Sequence, residues 1–346
     1  MKRRLGRTLL FILAVLFIIL FSLGAAAVYV DRQVHALYPE QAPGTIFEIP
    51  RGAGTRDIVR LLENKKVIPN QYVALTYVFY KGLRHKLQAG EYLFDRPTTP
   101  AEVLTRIAEG NVYLHKFTVP EGLTIAETAQ KWEEAGFGPA GVFEKEATAV
   151  DLIRDLDPKA QTLEGYLFPE TYFFPAHTTA HQAVETMVGR FRTIVQRLQK
   201  EVPPSRWPLN MRGTVILASI IESEAARADE RPLVASVYIN RIERNILLQC
   251  DPTVIYALQQ ADRYHGKLSL ADLKFASPYN TYVNPGLPPG PIMNPGYPSL
   301  RAAIEPATTK YLYFVRTTDG RHTFSENLAA HNRAVAAYRL LQRRSK

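Results

Sequence analysis

MRGTVILASIIESEAA, residues Met211–Ala226, is the stretch that decides the fold of this chain. Apolar residues fill most positions from Val215 to Ile221, so the stretch predicts a helix that is buried nearly all round. A helix of this kind needs other elements packed against every face. It therefore marks the centre of a globular domain within the 346 residues of the chain.

Elements on both sides of this helix predict an α+β fold. Downstream, a second helix opens at Arg231-Pro232, where proline is tolerated in the first turn, and a third opens at Asp251-Pro252. Upstream, residues 46–94 show the order strand, helix, helix, strand, and a further amphipathic helix follows at 100–110. We therefore predict a small subdomain over residues 46–110 and a larger mixed α/β domain over residues 111–346.

The N-terminus predicts a membrane anchor. Residues 1–7 carry four positive charges and no negative ones, and residues 8–30 form an uncharged apolar run. A helix of that length measures roughly 34 Å, enough to cross a hydrocarbon core of about 30 Å. Positive flanks stay in the cytoplasm, so residues 1–7 are predicted as a cytoplasmic tail and the bulk of the chain lies beyond the membrane. Residues 31–45 are predicted as a linker.

A cleaved signal peptide is the alternative reading of the same segment. Residues 24–27 are small, as a signal peptidase requires, but the apolar run exceeds the usual length of about 7–15 residues. A lipoprotein is excluded because no cysteine lies near the N-terminus. The anchor is therefore the favoured interpretation.

Net charge and cysteine content limit the expected binding partners and the possible sources of stability. The net charge is +9 and the chain has a single cysteine, Cys250. One thiol forms no internal disulfide, so stability must come from packed cores. A chain exported past a membrane seldom meets nucleic acid, so anionic lipid headgroups or an anionic envelope polymer suit the basic surface better.

The buried helix carries the first candidate for catalysis, Glu222. Helical periodicity places it on a face with small and apolar residues such as Ala218 and Ala225. Burial disfavours the charged form of a carboxyl, and a neutral carboxylic acid can protonate the leaving oxygen of a glycosidic bond. Periodicity alone does not separate Glu222 from Glu224. The structural alternative is a glutamate at a helix end paired with Arg227 or Arg231.

Four ordered segments resemble one known family. They are LASIIESEA (217–225), VASVYINRI (234–242), LQCDPTVIYAL (248–258) and SPYNTYVNPGLPPGPI (277–292). Together with LEGYLFPETY (163–172) and the C-terminal YLYFV…HTFS…HN block, they resemble the endolytic murein transglycosylase, or YceG-like, family over essentially the whole chain. That family usually has E-K-E-T where this chain has Glu222-Ser223-Glu224-Ala225, so a role for the threonine hydroxyl does not carry over.

The resemblance implies a reaction and a catalytic residue. Glu222 falls on the catalytic glutamate of the family motif. The implied reaction cleaves the bond between N-acetylmuramic acid and N-acetylglucosamine without water, and leaves a 1,6-anhydro end. One carboxyl group suffices for both proton transfers.

Several further side chains are predicted to bind the glycan. Hydrogen-bonding groups and aromatic faces cluster in the downstream motifs, and a proline-rich loop stands beside them. The aromatic segment 163–175 is either a wall of the cleft or a loop that fills the core between domains. The predicted substrate-binding residues are Asn240, Gln249, Tyr279, Asn280, Thr281, Tyr282, Pro288 and Glu170. We predict no metal and no cofactor, because the histidines lack ligand spacing and no phosphate-binding loop appears.

The family resemblance also implies location and partners. It implies a LysM-like, glycan-binding module at residues 46–110, peptidoglycan glycan strands as substrate, and the bacterial inner membrane as the site of action. Peptidoglycan synthases are expected as further partners.

Two other functions stay open at this point. A lysozyme-type muramidase would use water and need a second carboxylate, such as Glu224 or Asp251, although Asp251 is also a candidate helix N-cap. A noncatalytic scaffold that binds peptidoglycan would need neither.

Overall fold

The chain folds into two compact units. The computed structural model describes residues 2–40, 44, 46–225 and 227–344. Unit 1 comprises Met1–His115 with Phe173–His177, and unit 2 comprises Lys116–Tyr172 with Thr178–Lys346. The mixture of helices with short two-stranded sheets confirms the predicted α+β class. The predicted domain limits at residues 46, 110 and 111 stay predictions.

Unit 1 contains a strand–helix–helix–strand arrangement between two further helices. Its elements are α1 (Lys2–His35), β1 (Ile46–Ile49), α2 (Thr55–Asn64), α3 (Gln71–Tyr80), β2 (Gly90–Leu93) and α4 (Pro100–Ala108). β1 and β2 pair antiparallel, with Ile46 opposite Leu93. Phe47 and Ile49 alternate with exposed residues along β1, so one face of this ribbon covers the core of the unit.

The apolar N-terminal segment is helical, as predicted. Its part Leu10–His35 is long and apolar enough to cross a membrane, judged by length and composition. The side chains of this part are largely exposed as far as Tyr29. The helix runs five residues beyond the predicted end at Val30.

This extension changes the predicted linker at residues 31–45. Val34 is fully buried in the core of unit 1, and Val30 packs against the same core. Residues 31–35 are therefore helical and docked, because Val34 and Val30 present one apolar stripe to the unit. The linker residues 41–43 and 45 lie outside the described residues.

Unit 2 contains most of the helices. The strands β3 (Leu114–Thr118) and β4 (Thr171–Pro175) form a two-stranded sheet. The remaining elements are α5 (Ile125–Glu134), α6 (Ala140–Glu146), α7 (Ala180–Glu201), α8 (Met211–Glu224), α9 (Arg231–Glu243), α10 (Asp251–Gln259), α11 (Tyr297–Ile304), β5 (Tyr313–Arg316), β6 (His322–Ser325) and α12 (Leu328–Arg344).

Helix α8 is the buried helix that the sequence predicts. Every residue from Gly213 to Ile221 is buried, and α8 packs against α9, α10 and α11. Asn210 caps its N-terminus by accepting a hydrogen bond from the Gly213 N–H at 2.9 Å. The helix ends at Glu224, so both candidate glutamates lie in its last turn.

Candidate active site

The last turn of α8 presents two carboxyl groups to two different cavities. Glu222 lines a cavity of about 310 Å³, and Glu224 lines another of about 490 Å³. Residues two apart on a helix point roughly 200° apart around its axis. The two glutamates therefore have separate surroundings, although they are neighbours in sequence.

The Glu222 side chain is held by two hydrogen-bond donors. Its Oε1 lies 3.2 Å from Nη2 of Arg231, and its Oε2 accepts the Gly296 N–H at 2.9 Å. The side chain is only 6% exposed. Helical periodicity predicts small and apolar neighbours for Glu222. The side chain also contacts Arg231 and Gly296, which lie outside α8 and which the periodicity of α8 therefore cannot reveal. The ion pair with Arg231 matches the structural alternative, a glutamate at a helix end paired with an arginine.

A third carboxyl group, Glu121, completes this cluster. Its oxygen packs so closely on Gly296 that a side-chain carbon there would overlap it. Burial raises the pKa of Glu121, the charge of Glu222 raises it further, and Arg231 lowers it. The cluster of Glu121, Glu222 and Arg231 ties the end of α8 to the segment before α11.

Glu224 has surroundings of a different kind. Its Oε1 accepts hydrogen bonds from the Tyr238 hydroxyl at 3.2 Å and the Cys250 thiol at 3.4 Å. Burial raises the pKa of this carboxyl, and the charge of Asp251 adds to the rise, while the two hydrogen bonds and His322 lower it. A carboxyl group with a raised pKa beside a cavity fits a general acid.

Aromatic and polar side chains line the cavity of Glu224. The aromatic ones are Tyr238, Tyr282, Tyr313 and Phe314, and the polar ones include Gln249, Asp251, Arg241, His331 and Asn332. Asp251 accepts a hydrogen bond from the Tyr282 hydroxyl at 2.5 Å. The prediction of Asp251 as an N-cap is wrong: Cys250 holds the cap position, and Asp251 is the first residue of α10.

The structure brings two of the predicted binding residues, Gln249 and Tyr282, into the cavity of Glu224. Asn240 instead donates to the carbonyl oxygens of Thr309 and Tyr311, at 3.0 and 2.9 Å. Its amide nitrogen therefore holds the segment before β5. A role for Asn240 in binding glycan stays a prediction.

The other predicted binding residues support the fold of the proline-rich loop. Asn280 is fully buried and donates to the carbonyls of Leu273 and Phe275. Thr281 accepts the Cys250 N–H at 2.9 Å, which fixes the start of α10. Tyr279 packs its ring 4.9 Å from that of Tyr256.

Pro288 and Glu170 complete the predicted set. Pro288 is buried within its loop. Glu170 forms a bidentate ion pair with Arg190 of α7, with its oxygens at 2.5 and 2.9 Å. Its side chain is thus engaged in the fold of unit 2, and its predicted contact with substrate stays a prediction.

Sequence reasoning missed the buried carboxyl of Glu164. The side chain is 5% exposed and accepts the Ile125 N–H at 3.1 Å and the Tyr256 hydroxyl at 3.4 Å. Burial raises its pKa to about 8, against the opposing effect of these two donors. Both donors are far from Glu164 in sequence. The only sequence signal of its burial was therefore the aromatic residues around it in segment 163–175.

Among residues 2–40, 44, 46–225 and 227–344, no three His, Cys, Asp or Glu side chains cluster as metal ligands do. The chemistry described above rests on carboxyl, hydroxyl and aromatic groups.

Comparison with known proteins identifies the family. Residues 47–337 match the model of the YceG-like family. A protein of Bacillus subtilis named endolytic murein transglycosylase is 30% identical over 332 residues, which cover 91% of each chain. One of the same name from Streptococcus pneumoniae is 27% identical over 84% of this chain and 57% of its own length.

A solved structure agrees with these matches. The crystal structure of a YceG-like protein from Listeria monocytogenes superposes with a TM-score of 0.57 at 33% identity, covering 84% of this chain and 98% of that one. Family model, relative and structure each span most of the chain. The chain therefore belongs to the YceG-like family.

Proposed function

We propose that this chain is a membrane-anchored, endolytic lytic transglycosylase. It cleaves the bond between N-acetylmuramic acid and N-acetylglucosamine in peptidoglycan and leaves 1,6-anhydro ends. Two relatives carry the name endolytic murein transglycosylase. The observation that carries the proposal is the Glu224 carboxyl, whose pKa burial raises, in the wall of an aromatic-lined cavity of about 490 Å³.

Of the two glutamates in the last turn of α8, we propose Glu224 as the proton donor. Arg231 and the Gly296 N–H occupy both oxygens of Glu222, which suits a group that positions the end of the helix. Glu224 receives both of its donors on Oε1, so Oε2 remains for the acidic proton. Glu222, the residue that the family resemblance selects, is the competing candidate, and substitution of each separates them.

The reaction then needs a single carboxyl group. Glu224 donates its proton to the glycosidic oxygen, the bond from C1 to that oxygen breaks, and positive charge develops at C1. The C6 hydroxyl of the same muramic acid attacks C1 and passes its proton to the Glu224 carboxylate. The carboxyl group is regenerated, and no water enters the product.

The lining of the cavity suits a sugar. The rings of Tyr282 and Phe314 offer apolar surface, and Gln249 and Asn332 offer hydrogen-bonding groups. Ligand sites of about 300–1,000 Å³ commonly combine apolar walls with a few polar groups that fix orientation. A glycan unit therefore fits both the size and the chemistry of this cavity.

A lysozyme-type muramidase is the second candidate, and the position of Asp251 favours it. Asp251 lines the same cavity as Glu224 and is close enough to influence its pKa. An acid paired with a second carboxylate is the arrangement that hydrolysis of a glycosidic bond uses. A noncatalytic scaffold has no comparable observation in its favour.

The remaining proposals concern location and the non-catalytic unit. We propose that α1 spans the bacterial inner membrane with residues 1–7 in the cytoplasm. This places the rest of the chain beside newly made glycan strands and their synthases. The β1-α2-α3-β2 order of unit 1 supports a LysM-like module that binds glycan.

Analysis of the cleaved ends tests the reaction type. The purified full chain is incubated with peptidoglycan, and the muropeptides are identified by mass spectrometry. The proposal predicts 1,6-anhydro ends from the wild type and from Asp251→Asn, which keeps a group able to accept from Tyr282. Reducing ends that vanish in Asp251→Asn would establish the muramidase instead.

A further inference from the structure

We propose that one face of unit 1 rests on the headgroups of an anionic lipid bilayer. The face consists of Phe79, Tyr80, Lys81 and Arg84, at and just beyond the C-terminal end of α3, and is named here the juxtamembrane face. The inference rests on the proposed anchor, but it concerns a surface that the proposed reaction does not use.

The first step is the rigid attachment of α1 to unit 1. Val34 is fully buried and Val30 packs on the same core, and α1 contacts both α3 and α4. The His35 ring meets the Tyr77 ring edge-on, with centroids 6.0 Å apart. When α1 spans a membrane, a helix docked in this way keeps the rest of unit 1 close to the membrane surface.

The second step is the depth at which α3 lies. From Leu10 to Val30 the helix rises roughly 30 Å, the thickness of a hydrocarbon core. From Val30 to His35 it rises only about 7 Å more, and a headgroup layer is about 5–8 Å deep. Tyr77, in contact with His35, therefore lies at the level of the headgroups.

The third step is the chemistry that α3 exposes beside Tyr77. Tyr80 is 80% exposed and Phe79 is 47% exposed. The ammonium group of Lys81 lies 5.6 Å from the Tyr80 ring and 5.8 Å from the Tyr77 ring. The guanidinium group of Arg84 lies 5.2 Å from the Phe79 ring. Two pairs of a cation and an aromatic ring thus lie at the exposed C-terminal end of α3 and in the turn that follows it.

This combination matches the interface of a membrane. Tyrosine is enriched at headgroup level, where its ring meets apolar chains and its hydroxyl meets water. Lysine and arginine next to a spanning helix are attracted to anionic lipids. A glycan strand is the alternative occupant, but the docking of α1 brings the bilayer to this face without any further partner.

A spin-label depth measurement tests the inference. The full chain is reconstituted in vesicles of phosphatidylcholine with phosphatidylglycerol, and a nitroxide is attached at Tyr80→Cys. Native Cys250 is 1% exposed, so the introduced thiol is the accessible one. Matched references are Phe17→Cys in the apolar part of α1 and Asp151→Cys, whose native side chain is 90% exposed.

We expect the label at position 80 to collide with a water-soluble nickel chelate about threefold less often than the label at position 151, as at headgroup depth. Lys81→Glu combined with Arg84→Glu should raise the collision rate at position 80 towards that at position 151, because repulsion by anionic lipid then tilts α1 and lifts the face from the headgroups. If the label at position 80 collides with the chelate as often as the label at position 151, while the label at position 17 is shielded by lipid, the inference is overturned and the anchor stands. Exposure of position 17 to the chelate would remove the anchor itself.

Discussion

At the scale of single residues, the different hydrogen-bond partners of Glu222 and Glu224 are the basis for proposing Glu224, and not Glu222, as the acid. An arginine and a backbone N–H hold both oxygens of Glu222. A tyrosine and a cysteine hold one oxygen of Glu224. The difference comes from α9, from Cys250 just before α10 and from Gly296 just before α11, since each supplies a donor that α8 alone lacks.

Removal of the Tyr238 hydroxyl tests the role of Glu224 through pH. The Tyr238 hydrogen bond lowers the pKa of Glu224, so Tyr238→Phe should raise that pKa. Since the acid acts in its protonated form, the alkaline limb of the activity profile should move to higher pH. The profile is measured as initial release of muropeptides between pH 5 and pH 9.

Tyr311→Phe is the matched control, because Tyr311 lies in the same unit but does not line the cavity of Glu224. It should leave the profile in place. An unmoved profile in Tyr238→Phe, with normal folding, would show that Glu224 is not the titrating acid.

Glu164 gives a second prediction at this scale, on stability. Its pKa is about 8 in the folded chain, against 4.5 as the reference value. The folded state therefore holds a proton that the unfolded state loses, and stability falls as pH rises from about 4.5 to about 8. Glu164→Gln stays neutral, so its melting temperature should decline less than that of the wild type across this range. Parallel declines in the two proteins would contradict the burial argument.

At the scale of elements, the turn around Gly165 fixes how the aromatic segment meets α8. Gly165 has a φ of +85°. A side-chain carbon there would lie 2.5 Å from Pro291 Cβ and 3.0 Å from Val215 Cγ1. Two N–H groups of the turn, from Gly165 and Leu167, donate to the Asn294 side chain at 2.9 and 3.0 Å.

Gly165→Ala should therefore destabilise unit 2 by about 1–3 kcal/mol, through overpacking and an unfavourable φ. Gly189→Ala is the matched control: Gly189 lies within α7 with no atom near its missing side chain, so alanine should stabilise by roughly 0.5–1 kcal/mol. Unfolding in urea measures both. Equal effects of the two substitutions would contradict the close approach inferred at Gly165.

The predictable part of the fold depended on local patterns. The apolar run of α8 and the strand, helix, helix, strand order of residues 46–94 could be predicted because each pattern lies within one continuous segment of sequence. The pairing of Glu222 with Gly296 joins residues 74 positions apart. Periodicity of one helix carries no information on such a contact. Periodicity therefore placed the two glutamates on α8 without separating their roles, and only the family resemblance selected Glu222.

At the scale of the whole molecule, the docked end of α1 changes how the anchor is understood. A free linker of residues 31–45 would give the chain a long reach. Residues 31–35 instead continue the helix, and Val34 is part of the core of unit 1. On the proposal that α1 spans the membrane, this docking holds unit 1 close to the bilayer, and we expect the enzyme to act on nascent glycan strands.

Deletion of residues 2–30 tests this restriction. It keeps Val34 and should leave unit 1 folded, but it frees the chain from the membrane. Given an export signal, the shortened chain should cleave mature wall as well as nascent strands, and the distribution of glycan lengths should broaden. Replacement of residues 8–30 by an unrelated apolar helix should restore the wild-type distribution. Unchanged strand lengths after deletion would contradict the restriction.

The most direct test of the central claim compares Glu224→Gln with Glu222→Gln in the digestion of purified peptidoglycan, with exposed Glu243→Gln as the control. We predict that Glu224→Gln lowers release of anhydro-muropeptides by about 10²–10⁴-fold. Glu243→Gln should match the wild type, and Glu222→Gln should retain measurable activity. Wild-type release by Glu224→Gln, with activity abolished in Glu222→Gln, would contradict the assignment and make Glu222 the proton donor.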